Sequence, residues 1–251
     1  MLGIGSQIKA HIEKRFGLPF GPPAARMREY ILAVKAFFDC WQNGTKLDFQ
    51  GEYYRHTLMT PMFNPGPNPY GVPPILLGAL GPLMTQVAGE VADGLIIHPF
   101  NSVPFVQENA LPAVRKGLDK SARSEDDFII QVNAIVITGE TDEAYHAAEQ
   151  SVKGLLGFYS STPAYRPPMD AVGLGDLQPK LNALSKEGKW EQLGNYINDE
   201  FLDAFCVRGK PEDIAGKLKE QYGSYADRLA IYAPYAAPDD MWAKIIKDLK
   251  S

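Results

Sequence analysis

Four short segments of this chain are apolar at nearly every position: residues 75–80 (ILLGAL), 95–98, 128–138 (FIIQVNAIVIT) and 229–232. A strand with one wet face alternates apolar and polar residues, whereas a strand that is apolar throughout must be covered on both faces. Between these segments the sequence reads as helix. Met27, Tyr30, Ile31, Val34, Phe37, Phe38 and Trp41 fall at spacings of three and four, which predicts a helix over residues 24–41. Further helices are predicted over 84–91, 103–118 and 239–249, with two or three more between 177 and 205. Thr141, followed by Asp142 and Glu143, predicts a capped helix start. Gly209-Lys210-Pro211-Glu212-Asp213 predicts another, with proline at its first position and Gly223 at its end. Buried strands alternating with amphipathic helices make a parallel sheet covered on both sides, so the fold class is α/β.

The architecture is less determined. A (β/α)8 barrel uses about 250 residues, or about 31 per unit. This chain has 251, yet it offers four clear strands and one more at residues 1–5. Either the sheet is open or part of a barrel is missing. Residues 43–72, rich in Gly, Pro and Tyr, read as a long loop, and residues 157–175 as an irregular segment.

Composition narrows the function classes. Thirty acidic against 25 basic residues leave a net charge of −5, unlike the basic face of a nucleic-acid binder. A hydrophobic fraction of 45% excludes a disordered chain. The longest apolar run, residues 71–84, is broken by prolines and glycines and cannot span a bilayer. The N-terminal segment MLGIGSQIKAHIEKRFG lacks the basic-then-apolar pattern of a signal peptide, so the expected location is the cytoplasm. Cys40 and Cys206 stand apart, without a CxxC, and read as reduced thiols. There is no HExxH, no Cys/His cluster at ligand spacing and no GxSxG elbow, so no metal is expected.

Candidate binding residues cluster where strands end. The loop Ala79-Leu80-Gly81-Pro82-Leu83-Met84 joins a strand to a helix, where free N–H groups suit a phosphate. The same residues also serve as a plain tight turn. His98 and Asn101 follow the next strand, on the same sheet edge by the handedness of βαβ units. Gly3, Gly5 and Ser6 end the first strand. Tyr159, Ser160, Ser161, Thr162, Tyr165 and Arg166 gather hydroxyls, aromatic rings and a cation, suited to a ligand or simply to capping and turning. His11, His56 and His146 give weaker signals, and no residue is assigned a catalytic role.

Taken together, the segments resemble a known family. Leu2-Gly-Ile-Gly-Ser6 with His11-x-x-x-Arg15-Phe16-Gly17-Leu18-Pro19 is similar to the fourth strand and following loop of the luciferase-like monooxygenases. Arg26-Met27-x-Glu29-Tyr30, Phe49-x-Gly51-x-Tyr53-Tyr54, Pro74 to Met84, Ala88-Gly89-Glu90-x-Ala92-Asp93-Gly94 and Gly209-x-Pro211-Glu212-Asp213 continue the match in order. The segment from Phe158 to Tyr165 is similar to a motif of the subgroup that uses coenzyme F420. The resemblance implies one domain over residues 1–251, a TIM-type (β/α)8 barrel represented by about strands 4 to 8 and lacking its N-terminal strands. The chain is then expected to be a fragment of a longer enzyme, or to have its missing layer supplied by a partner. It also implies an oxidoreductase that transfers a hydride between coenzyme F420 and a small organic substrate, with an FMN-dependent monooxygenase as the alternative. Gly5, Ser6, Ala79 to Met84, His98 and Asn101 would hold the cofactor, and Tyr159 to Thr162, Tyr165 and Arg166 the substrate. Homodimerisation, common in the family, is the further expectation. The rival from another class is a cofactor-free remnant with a structural or interaction role.

Overall fold

A computed structural model describes all 251 residues, Met1–Ser251. In chain order the elements are β1 (Leu2–Gly5), α1 (Pro23–Asn43), β2 (Phe49–Gln50), β3 (Arg55–His56), β4 (Ile75–Ala79), α2 (Pro82–Val91), β5 (Gly94–Ile97), α3 (Val103–Phe105), α4 (Leu111–Lys120) and β6 (Ile129–Ile137). There follow α5 (Asp142–Ser160), α6 (Arg166–Asp170), α7 (Gln178–Lys186), α8 (Asp199–Phe205), β7 (Cys206–Arg208), α9 (Pro211–Tyr222), β8 (Arg228–Tyr232) and α10 (Asp239–Lys250). They form two units: Met1–Ile96 with Pro112–Ile129, and Ile97–Leu111 with Ile130–Ser251.

In the first unit β1 lies parallel to β4, pairing Leu2 with Ile75 and Gly5 with Gly78. Ile75, Leu76 and Leu77 are fully buried, as a strand apolar on both faces requires. Helix α1 buries Ile31, Ala33 and Cys40 and stops at Gly44, whose left-handed backbone lets its N–H reach the Cys40 carbonyl. The stretch expected to be a long loop is partly ordered by the β2–β3 hairpin. Its turn is tied to α1 by Glu29, whose carboxylate accepts the N–H groups of Glu52, Tyr53 and Tyr54 at 2.9, 2.7 and 2.6 Å. Helices α2 and α4 meet backbone to backbone. A methyl group on Gly89 would strike the Val114 carbonyl, and one on Gly117 the Gln86 carbonyl. Beside this crossing the buried Glu90 is held by Arg28 Nε at 2.6 Å and Lys120 Nζ at 2.9 Å.

In the second unit β6 pairs in parallel with β7 along Ile135–Ile137 and with β8 along Gln131–Ile135. The core gathers Phe100, Ile135, Val152, Leu156, Phe201 and Phe205. Phe100 and Phe201 both stack on Phe205, with centroids 4.6 and 4.7 Å away. Helix α5 starts as predicted, with Thr141 Oγ1 accepting the Ala144 N–H at 3.2 Å.

The α/β class and the parallel pairing agree with the sequence reading. β1 pairs with β4 alone and β8 with β6 alone, so the ring of strands is not closed. Three local expectations need correction. Helix α5 runs on to Ser160, so the segment read as irregular from residue 157 begins as helix. The single helix expected over 103–118 holds a π-helical turn, Val106–Ala110, between α3 and α4. Strand β7, Cys206–Arg208, adds to the strands that the sequence predicts; three residues are too short to show a period. Cys40 and Cys206 are both buried free thiols. No helix is long and apolar enough to cross a membrane.

Candidate functional site

In the first unit the β1–β4 register brings Gly5, Ser6 and Ala79 out at the same strand ends. Gly81 then caps α2 in an extended conformation, and Pro82 occupies the first helical position without an N–H. The N–H groups of Leu83 and Met84, second and third in the helix, have no intrahelical acceptor. Thr85 folds back instead, its N–H and its hydroxyl both donating to the Gly81 carbonyl at 3.0 Å. The Leu83 side chain is exposed. Ser6 donates to the neighbouring Gln7 carbonyl at 3.2 Å. Gly5 and Ser6 also line a mainly apolar cavity of about 610 Å³ together with Ile12, Met27, Tyr30 and Tyr54. At its side Arg26 Nε donates to the Tyr54 hydroxyl at 3.0 Å.

In the second unit His98, Tyr159 and Tyr165 come together. The Phe100 N–H donates to Nδ1 of His98 at 3.1 Å, so Nδ1 carries the lone pair and the neutral ring carries its proton on Nε2. The side-chain amide of Asn101, itself buried, donates to the His98 carbonyl. Tyr159 meets the imidazole edge-on with centroids 5.1 Å apart, and Tyr165 lies tilted at 4.7 Å. The hydroxyls of Tyr159 and Tyr232 are 3.5 Å apart. Burial pushes the His98 imidazole down to about 4 and raises the phenols of Tyr159 and Tyr165. At neutral pH this group is therefore uncharged: aromatic faces, hydroxyls and one imidazole N–H.

The remaining residues of the Tyr159–Arg166 group are engaged locally. Ser160 is fully buried. Ser161 Oγ donates to the Phe158 carbonyl at 2.7 Å, and its own carbonyl accepts from Asn182 Nδ2 at 2.9 Å. The Thr162 N–H donates to the Tyr159 carbonyl at 2.9 Å. Arg166 pairs with Asp170 at 3.2 Å and Asp176 at 3.7 Å. No group of three or more His, Cys, Asp or Glu side chains is placed to hold a metal ion.

The luciferase-like monooxygenase family matches residues 1–228 of the chain. The chain belongs to that family. An uncharacterized protein of Mycobacterium tuberculosis is 46% identical over 229 residues, covering 91% of this chain and 67% of its own length. The 5,10-methylenetetrahydromethanopterin reductase of Archaeoglobus fulgidus is 27% identical over 221 residues, covering 88% and 63%. Among solved structures, the coenzyme F420-dependent tetrahydromethanopterin reductase of Methanopyrus kandleri superposes with a TM-score of 0.72 at 20% identity, over 99% of this chain and 72% of that one. The chain thus spans about two thirds of the length of the curated relatives it matches.

Two further residues of this luciferase-like chain, Phe100 and Tyr232, belong to the aromatic group. Phe100 forms the floor beneath Tyr159 and Tyr165, at 5.7 and 6.0 Å, and its N–H sets the His98 tautomer. Tyr232 ends β8 just as His98 follows β5. An aromatic residue at a strand's C-terminal end was the available signal.

Proposed function

We propose that this member of the family is an oxidoreductase that binds coenzyme F420 and passes a hydride to or from a small organic substrate. The observation that carries this reading is the neutral, aromatic group around His98 in the second unit, which suits the face of a flat conjugated ring. The F420-dependent relatives add support on the choice of cofactor. When bound, the cofactor supplies hydride acceptance or donation, chemistry that no side chain has by itself.

Each unit, taken by itself, offers groups suited to part of such a ligand. In the first unit the N–H groups of Leu83 and Met84, at the positive end of a ten-residue helix, suit an anion, with Gly5, Ser6, Ala79, Leu80, Gly81 and Pro82 as the candidates in that unit. In the second unit His98 and Tyr159 would orient a ring or substrate by neutral hydrogen bonds, with Asn101 fixing the His98 backbone. Tyr165 and Phe100 would exclude water with their faces. Tyr159 keeps its proton, because burial raises its phenol, so it acts as a donor. Thr162 and Arg166 are assigned to the substrate end of the same unit.

The name of the matched family favours a second reading, an FMN-dependent monooxygenase. Fluorescence titration of the folded chain with F420 and with FMN separates the two. Saturable binding of F420 at about micromolar concentration, with FMN weaker, supports the first. The reverse order supports the second. Binding of neither favours a cofactor-free structural or interaction role for this polypeptide.

A further inference from the structure

We propose that His98 is a hydrogen-bond donor of fixed tautomer, whose Nε2–H takes a carbonyl oxygen of a flat ring lying against Tyr159 and Tyr165. The inference rests on the reading that this chain binds a flavin-like ring, and it adds the atom that recognises it.

The geometry of the imidazole comes first. The Phe100 N–H reaches Nδ1 at 3.1 Å, and turning the ring over would put a C–H in front of that donor and lose the bond. Nδ1 is therefore an acceptor already in use, and the ring proton sits on Nε2. The backbone that carries the ring is held as well. Asn101 grips the His98 carbonyl from a buried position, and Phe100 is fully buried and stacked on Phe205 at 4.6 Å. The donor is thus preorganised rather than found on binding.

The surroundings choose the partner. The titratable groups packed on the imidazole are Tyr159 from α5 and Tyr165 from the turn that follows, with Tyr232 of β8 behind Tyr159. Both neighbouring phenols stay protonated, and no carboxylate stands among them. Arg166, the cation next to Tyr165 in sequence, is paired with Asp170 and Asp176. With no counter-ion packed on it, the half-buried imidazole stays neutral and favours a neutral acceptor. An anionic oxygen here would be a buried charge without a counter-charge, and a donor would face another N–H. A neutral carbonyl acceptor satisfies the N–H at no such cost. Tyr159 and Tyr165, with ring centroids 5.1 and 4.7 Å from the imidazole, give it aromatic neighbours, which suits a planar ring bearing the carbonyl. The pyrimidinedione end of flavins and deazaflavins has this form.

Two measurements test the proposal on the chain as it is. Side-chain ¹⁵N NMR of the unliganded protein reads the His98 tautomer and its titration without any substitution. Fluorescence titrations with F420 and FMN are run on wild type, His98→Ala and His98→Gln, the last offering an amide N–H in place of Nε2–H. Expected are the Nε2–H tautomer and no titration of the ring between about pH 5 and 8. The alanine variant should bind the preferred cofactor about tenfold more weakly, with glutamine restoring most of the loss. A proton on Nδ1, a titration near the ordinary histidine value, or an alanine variant that binds like wild type overturns the proposal. If wild type binds neither cofactor, the functional reading fails and the inference with it. If wild type binds and the alanine variant binds equally well, the inference alone fails.

Discussion

Asp227 and Ile130 exchange two hydrogen bonds: the Ile130 N–H donates to Asp227 Oδ2 at 2.7 Å, and the Asp227 N–H donates to the Ile130 carbonyl at 2.9 Å. In the other unit Asp93 and Ile75 make the same exchange at 2.8 and 2.7 Å. Each aspartate stands one residue before a strand, β8 or β5, and its isoleucine is the second residue of β6 or the first of β4. The side chain thus closes the ladder where a strand begins, and the β6–β8 register follows directly as Gln131 opposite Arg228. Replacing Asp227 with alanine leaves the Ile130 N–H without its carboxylate and is expected to cost about 1–3 kcal/mol. Urea unfolding of Asp227→Ala and Asp227→Asn measures this, with asparagine recovering part of the loss because its amide oxygen still accepts. A cost of only a few tenths for alanine would show that water replaces the carboxylate.

The crossing of α2 and α4 gives a test in which two effects have opposite signs. Helix propensity alone predicts that Gly89→Ala stabilises α2 by up to about 1 kcal/mol. The added methyl would collide with the Val114 carbonyl, which belongs to backbone and cannot turn aside as a side chain does. Steric overlap should win, with a net destabilisation of about 1–3 kcal/mol in a thermal or urea melt. Gly154→Ala is the control, since nothing lies near the methyl it would add, and it should be neutral or mildly stabilising.

The contrast between those two glycines shows what a sequence can carry. Buried strands announce themselves because Ile75–Ala79 and Ile129–Ile137 must be apolar on both faces, and helix starts because Thr141 and Pro211 have local tasks. Gly89 looks the same as Gly154 in the sequence, since its role is set by a helix more than twenty residues away. The aspartate exchange does leave a trace, in Ala92-Asp93-x-Leu95 and Ala226-Asp227-x-Leu229, but the repeat lies outside the period of ordinary repeat arrays. In the candidate site His98, Tyr159 and Tyr165 were legible as polar or aromatic groups near strand and helix ends. Ser160 and Ser161 share their composition, yet α5 runs far enough to turn both into the interior. Phe100 was hidden because its contribution to the imidazole is a main-chain N–H, which every non-proline residue has.

The depressed pKa of His98 makes stability depend on pH in a set direction. Folded, the imidazole takes a proton only near pH 4, because burial penalises the charged ring; unfolded, it takes one near its ordinary 6.5. Above pH 6.5 neither state is protonated, and the full stability is present. As pH falls from 6.5 toward 4 the unfolded state binds the extra proton, and stability is lost progressively, on the order of 2–3 kcal/mol in all. Carboxylates titrate in part of the same window, so the quantity to measure is the difference between wild type and His98→Gln. Urea midpoints taken from about pH 7.5 to 4.5 should fall more steeply for wild type. Parallel curves for the two proteins would mean that the imidazole is already solvated in the folded state.

The start of α2 predicts how the chain discriminates between ligands with and without a phosphate. Leu83 and Met84 offer two main-chain N–H groups at a helix N-terminus, and Pro82 ahead of them offers none. If these groups hold an anion, FMN should bind more tightly than riboflavin, which has the same ring without the phosphate. Two charge-assisted bonds correspond to a tenfold to hundredfold preference, on the order of 1.5–3 kcal/mol. Met84→Pro removes one donor but disfavours the helical backbone of Leu83 before it, so a thermal melt first establishes that the variant keeps its fold. That variant should lose FMN affinity about tenfold and leave riboflavin affinity unchanged, and the wild-type preference should shrink with added salt. Equal losses for both ligands would place the effect in the ring contacts or in the fold rather than in the anion site. No preference in wild type would assign Gly81 and Pro82 to turning the chain alone.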